Sequence, residues 1–238
     1  GNGAHVAAFF HACQFFQSSA GSQSRGHAPW RLTVMQPKPS ELQAVGDAYH
    51  GEVLRVLGCL HHLTAAALGL PRDFFDPYYQ PHAEVSLRLA YYPPLSEEAQ
   101  RSSAVRYGEH TDYTGFTILH QDEADVGNVD AGGLQVRLAS GEWHAVLPQP
   151  NAFVVNIGDL YEVWTNGRWR STVHRVMKPP AGSAAAANPR LSIPFFTGPH
   201  NDAVVEVMPT CVDADHPPKY EPVTAGVHLL RKLGVSNV

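Results

Sequence analysis

Apolar positions recur at three- and four-residue spacing early in the chain and give way to short alternating runs after Pro81, which predicts a helical flank followed by a β-rich body. Residues 6–17 read as a helix carrying Phe9, Phe10, Phe15 and Phe16 as a core stripe, and the Ser- and Gly-rich residues 18–29 read as a loop. A long helix is expected from Ser40, where Ser40 and Gln43 form a capping box. Its apolar face runs through Leu42, Val45, Tyr49, Val53, Val56, Leu60 and Leu63, and Gly69 and Pro71 end it. Strands are predicted over residues 85–92, 115–120, 133–138, 143–147, 152–157, 171–177, 190–196 and 203–207. Ser140-Gly141 and Asn166-Gly167 mark turns, residues 160–165 a brief helix, 181–187 a low-complexity loop and 224–233 a closing helix. The fold class is therefore mainly β with flanking helices, an antiparallel sandwich or small barrel with the jelly roll as leading candidate. Residues 1–80 form the N-terminal helical flank and residues 81–238 the core with its C-terminal helix.

Composition narrows the choice of partners. The 238 residues are 44% hydrophobic and 16% charged with a net charge of -5, which argues against nucleic-acid or anionic-membrane partners. No apolar run approaches the roughly 20 residues of a membrane span, and no basic region precedes an apolar stretch at the start. Cys13, Cys59 and Cys211 are sparse and share no metal spacing, which fits a reduced, cytoplasmic protein. A small molecule acted on by a monomer is the expected partner. With 14 histidines, each proposed ligand has to be justified by its context.

His110-Thr-Asp112 supplies such a context, because residues i and i+2 of an extended segment share a face and can grip one ion. The pair alone is weak evidence and needs a third ligand. His174 lies in the strand-like Ser-Thr-Val-His-Arg-Val run, and antiparallel sheets bring distant strands together. Two imidazoles and one carboxylate form the facial triad of non-haem iron(II), with three positions left open. Zinc, which draws more on Cys and stops at four ligands, is the alternative. In a later strand Arg190 and Ser192 share a face, and a guanidinium beside a hydroxyl suits capture of a carboxylate. Tyr161, Trp164 and Trp169 either line a pocket or fill the core, with the core favoured, and Tyr113 and Phe116 divide evenly between pocket and packing.

Four ordered segments, RLAYYPP at 88–94, YGEHTDYTGFTIL, NIGDLYEVWTNGRWRSTVHRV and NPRLSIPFF, closely resemble the isopenicillin N synthase-like branch of the Fe(II)/2-oxoglutarate-dependent oxygenases. The likeness runs from about Pro71 to the C-terminus. It implies a double-stranded β-helix (jelly-roll) core, with His110, Asp112 and His174 as iron ligands. It implies Arg190 and Ser192 on the distal carboxylate of 2-oxoglutarate, with Tyr92 touching the same cosubstrate. Phe196 and Arg88 match positions at the substrate side, which Tyr113 and Phe116 also adjoin. Ala90 stands where the family usually has Asn, so one hydrogen bond is lost or replaced. Relatives begin with an extra strand and helix not found here, so the N-terminal flank reads as incomplete.

The activity so implied is oxidation of a small organic molecule, by hydroxylation, desaturation or ring closure. It uses Fe(II), 2-oxoglutarate and O2, releases succinate and CO2, and can draw on ascorbate as reductant. Two rivals stay open: an Fe(II) oxidase of the same fold that does not use 2-oxoglutarate, and a non-catalytic small-molecule-binding relative.

Overall fold

A computed structural model describes residues 40–80, 82–101, 105–122 and 133–236. The expected helix at 6–17 and loop at 18–29 lie outside the described residues. The long helix α1 spans Ser40–Ala67, and Gly69 at φ +67 turns the chain out of it. Its buried stripe is Tyr49, Val53, Leu57, His61 and Ala65, continued by Leu68 just past its end, whereas Leu63 stands 67% exposed. The sequence-based face was thus rotated toward Leu60 and Leu63. The apolar Leu57 belongs to the stripe in place of Val56, and so does His61, a polar residue that lies 5.4 Å from the Phe75 ring and 4.1 Å from the Tyr79 ring.

Two antiparallel sheets form the body. The first has strand order β1-β9-β4-β7, with β2 also paired to β9: β1 is Glu84–Leu87, β2 Ala90–Tyr92, β4 Phe116–Gln121, β7 Val154–Ile157 and β9 Arg190–Gly198. The second has order β3-β8-β5-β6, comprising Val105–His110, His174–Met177, Gly133–Arg137 and Trp143–Ala145. The sheets face each other, since a Cβ built on Gly133 of β5 would lie 2.9 Å from Arg190 Nη1 on β9. This is the jelly-roll arrangement that the strand spacing suggested. The expected 85–92 strand is broken at Arg88 and Leu89, and strand β3 had not been expected. β3 reads as Val-Arg-Tyr-Gly-Glu-His, whose Gly and charges hide its extended character.

Short helices complete the chain: α2 Asp76–Tyr79, α3 Glu97–Arg101, α4 Asp159–Trp164, α5 Ala184–Ala187 and α6 Ala225–Ser236. One turn of helix, capped by Ser183, therefore replaces the low-complexity loop. A minor ribbon joins β10 Val204–Val205 to β11 Val223–Thr224. Asn166 at φ 54 ends α4, and its side chain donates to the carbonyls of Cys211 and Pro217 while accepting from the Lys219 amide. Among the described residues no helix is long and apolar enough to cross a membrane.

The main core lies on the outer face of the first sheet, beneath α1 and α4. Ile118, Ile193 and Phe195 from the sheet meet Val53 and Leu57 from α1, with Tyr161 and Trp164 from α4. Phe116 stacks on Tyr161 at 4.1 Å, and Phe75 meets Trp164 edge-on at 5.5 Å. Tyr161 and Trp164 are thus core residues, and Trp169 packs half-buried against them.

Burial lowers the His61 pKa to about 4. The unfolded chain then binds a proton that the folded chain refuses between the ordinary value near 6.5 and about 4. Stability should therefore fall as pH drops through that window, by an amount of order 3 kcal/mol. Chemical denaturation of His61→Phe from pH 7 to pH 4 is expected to show a flatter acid limb than the wild type. Identical limbs would exclude His61 as its source.

Candidate metal centre

Strands β3 and β8 run antiparallel with His110 and His174 as direct cross-strand partners, although bulges interrupt the ladder before that pair. Cross-strand partners hold their Cβ atoms about 5 Å apart, so the register itself brings two imidazoles together. The ring centroids lie 4.1 Å apart. Each ring is oriented by its own chain: Nδ1 of His110 is 2.8 Å from the Gly108 carbonyl and Nδ1 of His174 is 3.0 Å from the Thr172 carbonyl. A carbonyl only accepts, so both Nδ1 atoms carry a proton, which leaves each Nε2 as the atom free to meet a metal. Burial, together with the neighbouring His174, lowers the pKa of His110 and keeps it in the neutral form that binds metal.

Asp112 sits in the loop after β3, and helix α4 fixes that loop. The Asp159 amide donates to the Asp112 carbonyl at 2.9 Å, the Leu160 amide to Thr114 at 3.1 Å and the Gly158 amide to Gly115 at 2.9 Å. The first amides of a helix have no intrahelical acceptor, and here the ligand loop satisfies them. Such close approach requires glycine at 158, because a Cβ there would come within 2.6 Å of the Thr114 carbonyl oxygen. The Asp112 carboxylate, only 6% exposed, accepts from Asn156 Nδ2 at 2.5 Å and lies 3.8 Å from His174 Nε2. Ligand atoms of His110, Asp112 and His174 all fall within 4.8 Å of one another, a spacing that can hold one metal ion.

The opposite wall comes from β9 and β2. Tyr92 faces Arg190 across the ladder and Ala90 faces Ser192. Arg190 is buried, donates to Gln121 Oε1 at 2.8 Å and lies 5.8 Å from the Tyr92 ring centroid. Gly133, at φ +124, lies against this guanidinium, where any side chain would collide with it. Arg190, Ser192 and Phe196 share a face of β9 by alternation, and Leu191, Ile193 and Phe195 take the core face. The Arg88 guanidinium lies 5.3 Å from the centroid of Phe196, so these two meet on the same wall.

Tyr113 follows the ligand loop and lies 5.7 Å beneath Lys232 of α6. Phe116 is not brought to the metal cluster: it points to the core face of β4, buried against Tyr161 and near His61. Sequence reasoning did not single out Asn156, Gln121, Gly133 or Asp159. The detectable signals were Asn156, a poor strand former between apolar residues, and Gly158-Asp159 at a helix start. Tyr107, edge-on to His110 at 4.6 Å, carried no signal. A separate cleft of about 490 Å³ lies behind the ligand loop, between α4 and α6, with Thr111, Asp159 and Lys232 in its wall.

A sequence model of the 2OG-Fe(II) oxygenase superfamily matches residues 83–199. The 2-oxoglutarate-Fe(II) type oxidoreductase hxnY of Emericella nidulans is 33% identical over 205 residues, 86% of this chain and 54% of hxnY. Gibberellin 20 oxidase 3 of Oryza sativa subsp. japonica is 35% identical over 84% of this chain and 51% of its own. The chain thus spans about half the length of these curated relatives. Among solved structures, a full-length Neurospora crassa protein in complex with alpha-KG and 5-formyluracil superposes with a TM-score of 0.75 and 30% identity, covering 89% of this chain and 67% of the Neurospora protein.

Asn156→Ala removes the donor to Asp112 while leaving its carboxylate in place. Divalent metal should bind about tenfold more weakly, as is usual when a ligand's hydrogen-bond partner is lost. Metal titration of the apoprotein measures this, and unchanged affinity would mean that Asp112 needs no such support.

Proposed function

The chain belongs to the 2OG-Fe(II) oxygenase superfamily, and we propose that it is an Fe(II)- and 2-oxoglutarate-dependent oxygenase of a small organic molecule. The observation that carries this reading is the convergence of His110, Asp112 and His174 within 4.8 Å, opposite a buried Arg190 that faces the same space. Two imidazole nitrogens and one carboxylate fit Fe(II) with positions to spare, and no cysteine among the described residues joins the cluster to favour zinc. With O2 as the oxidant, the iron would supply oxidation of a substrate C–H bond, coupled to decarboxylation of 2-oxoglutarate to succinate and CO2.

The chain's own residues bind, orient and exclude water. Arg190 and Ser192 would hold the distal carboxylate of 2-oxoglutarate. Gln121 and Tyr92 fix the guanidinium plane before the ligand arrives, so little side-chain freedom is lost on binding. Gly133 keeps room beside that plane. Ala90, opposite Ser192, contributes only a methyl group where relatives carry an amide. Phe196 and Arg88 form an aromatic and cationic wall on the substrate side, and Tyr113, next to the ligand Asp112, is read as a further substrate contact. Phe116 is read as packing. The same reading takes the enzyme as a cytoplasmic monomer, and light scattering of the purified protein tests its oligomeric state.

Substituting a ligand and substituting the anchor should have different effects. His174→Ala is expected to abolish iron-dependent succinate formation. Arg190→Met should raise the KM for 2-oxoglutarate at least about 30-fold, which corresponds to roughly 2 kcal/mol of charge-assisted hydrogen bonding. Both are read by succinate release with Fe(II), ascorbate and a panel of small organic substrates. Oxygen consumption without succinate would instead identify an oxidase that takes its electrons from the substrate alone.

A further inference from the structure

We propose that Lys232, on the C-terminal helix α6, is a positioning residue of the metal centre, gripping the ligand loop on both sides of Asp112. The inference rests on the metal-site reading above. Lys232 Nζ lies 3.2 Å from Thr111 Oγ1 and 5.7 Å from the centre of the Tyr113 ring, so it engages both neighbours of the carboxylate ligand. The same ammonium pairs with Asp159 Oδ2 at 2.8 Å. Asp159 is the residue whose amide holds the Asp112 carbonyl. One cation therefore ties together the side chains of the loop and the helix that carries its backbone.

The latch has a second tie. His228 lies one turn before Lys232 on α6, and its Nε2 is 3.3 Å from the same Asp159 oxygen. The Asp159 carboxylate is 12% exposed and Lys232 36%, so water screens the pair only in part. Residues 111–113 belong to no strand and have no ladder of their own. They are held by α4 from behind and by α6 from the side. If α6 releases them, the carboxylate keeps its chemistry but loses its fixed place beside the imidazoles.

Co(II) titration of the apoprotein, followed by its visible ligand-field bands, tests this without turnover. Lys232→Met should bind Co(II) about tenfold more weakly and with altered bands, while its thermal midpoint stays near that of the wild type. Lys232→Arg, which keeps the charge and the donors, should restore most of the affinity. Leu230→Ala, at a 69% exposed position on the same helix and outside the cleft between α4 and α6, should match the wild type. Binding by Lys232→Met within about twofold of the wild type, with the same spectrum, overturns the proposal. If Lys232→Met unfolds, Thr111→Val removes only the loop hydroxyl and leaves the Lys232–Asp159 pair. A two- to threefold loss of affinity, roughly, is then expected, and no loss overturns the latch. Failure of the wild type itself to bind Co(II) overturns the triad reading and the latch together, an outcome distinct from failure of the variant alone.

Discussion

The arrangement of the site depends on how one short loop is anchored. A carboxylate taken out of water is costly unless it is hydrogen-bonded, and Asp112 is both buried and bonded to Asn156. Its backbone cannot be paired in a strand, because the chain must leave β3 and turn toward β4 within a few residues. The open amides at the start of α4 resolve that difficulty by taking the loop's carbonyls as their partners. Helix and loop therefore need each other: without the loop the helix start is unsatisfied, and without the helix the loop has no defined position. The aromatic layer of Tyr161 and Trp164 then seats α4 on the sheet, so core packing fixes the site from below.

Charge is placed with similar economy. The cationic Arg190 lies buried in the wall formed by the first sheet, and the carboxylate Asp112 lies beside imidazoles at the edge of the second. Each has a neutral amide, Gln121 or Asn156, as an immediate partner. A neutral partner steadies a charged group without cancelling it, which leaves the charge available to a ligand.

Much of this was legible in the residues. Alternation alone puts Arg190 and Ser192 on one face of a strand, and the His-x-Asp spacing suits one ion. What alternation could not supply was register: only the β3–β8 ladder shows that His110 and His174 are direct partners. Strand β3 escaped notice because its glycine and charged residues look like a turn. The helix stripe differs from the expected face at Leu57, which competes with its neighbour Val56, and at His61, polar by type but held among aromatic rings. Supporting contacts such as Asp159 to Asp112 span more than 40 residues of sequence, and no local pattern encodes them. Phe116 shows the opposite error, since nearness to the ligand pair in sequence did not decide which face of β4 it would take.

Strand β9 presents a guanidinium and a hydroxyl on one side and hydrocarbon on the other, residue by residue. Inserting or deleting a single residue there would exchange the two faces, driving Arg190 into the core beneath α1 and turning Leu191, Ile193 and Phe195 toward the ligand space. Binding and folding would fail in the same event. Such a strand cannot serve as a route of gradual change: lineages descending from this chain can remodel the loops around the cavity, but this segment can vary only by substitution, with its length held constant.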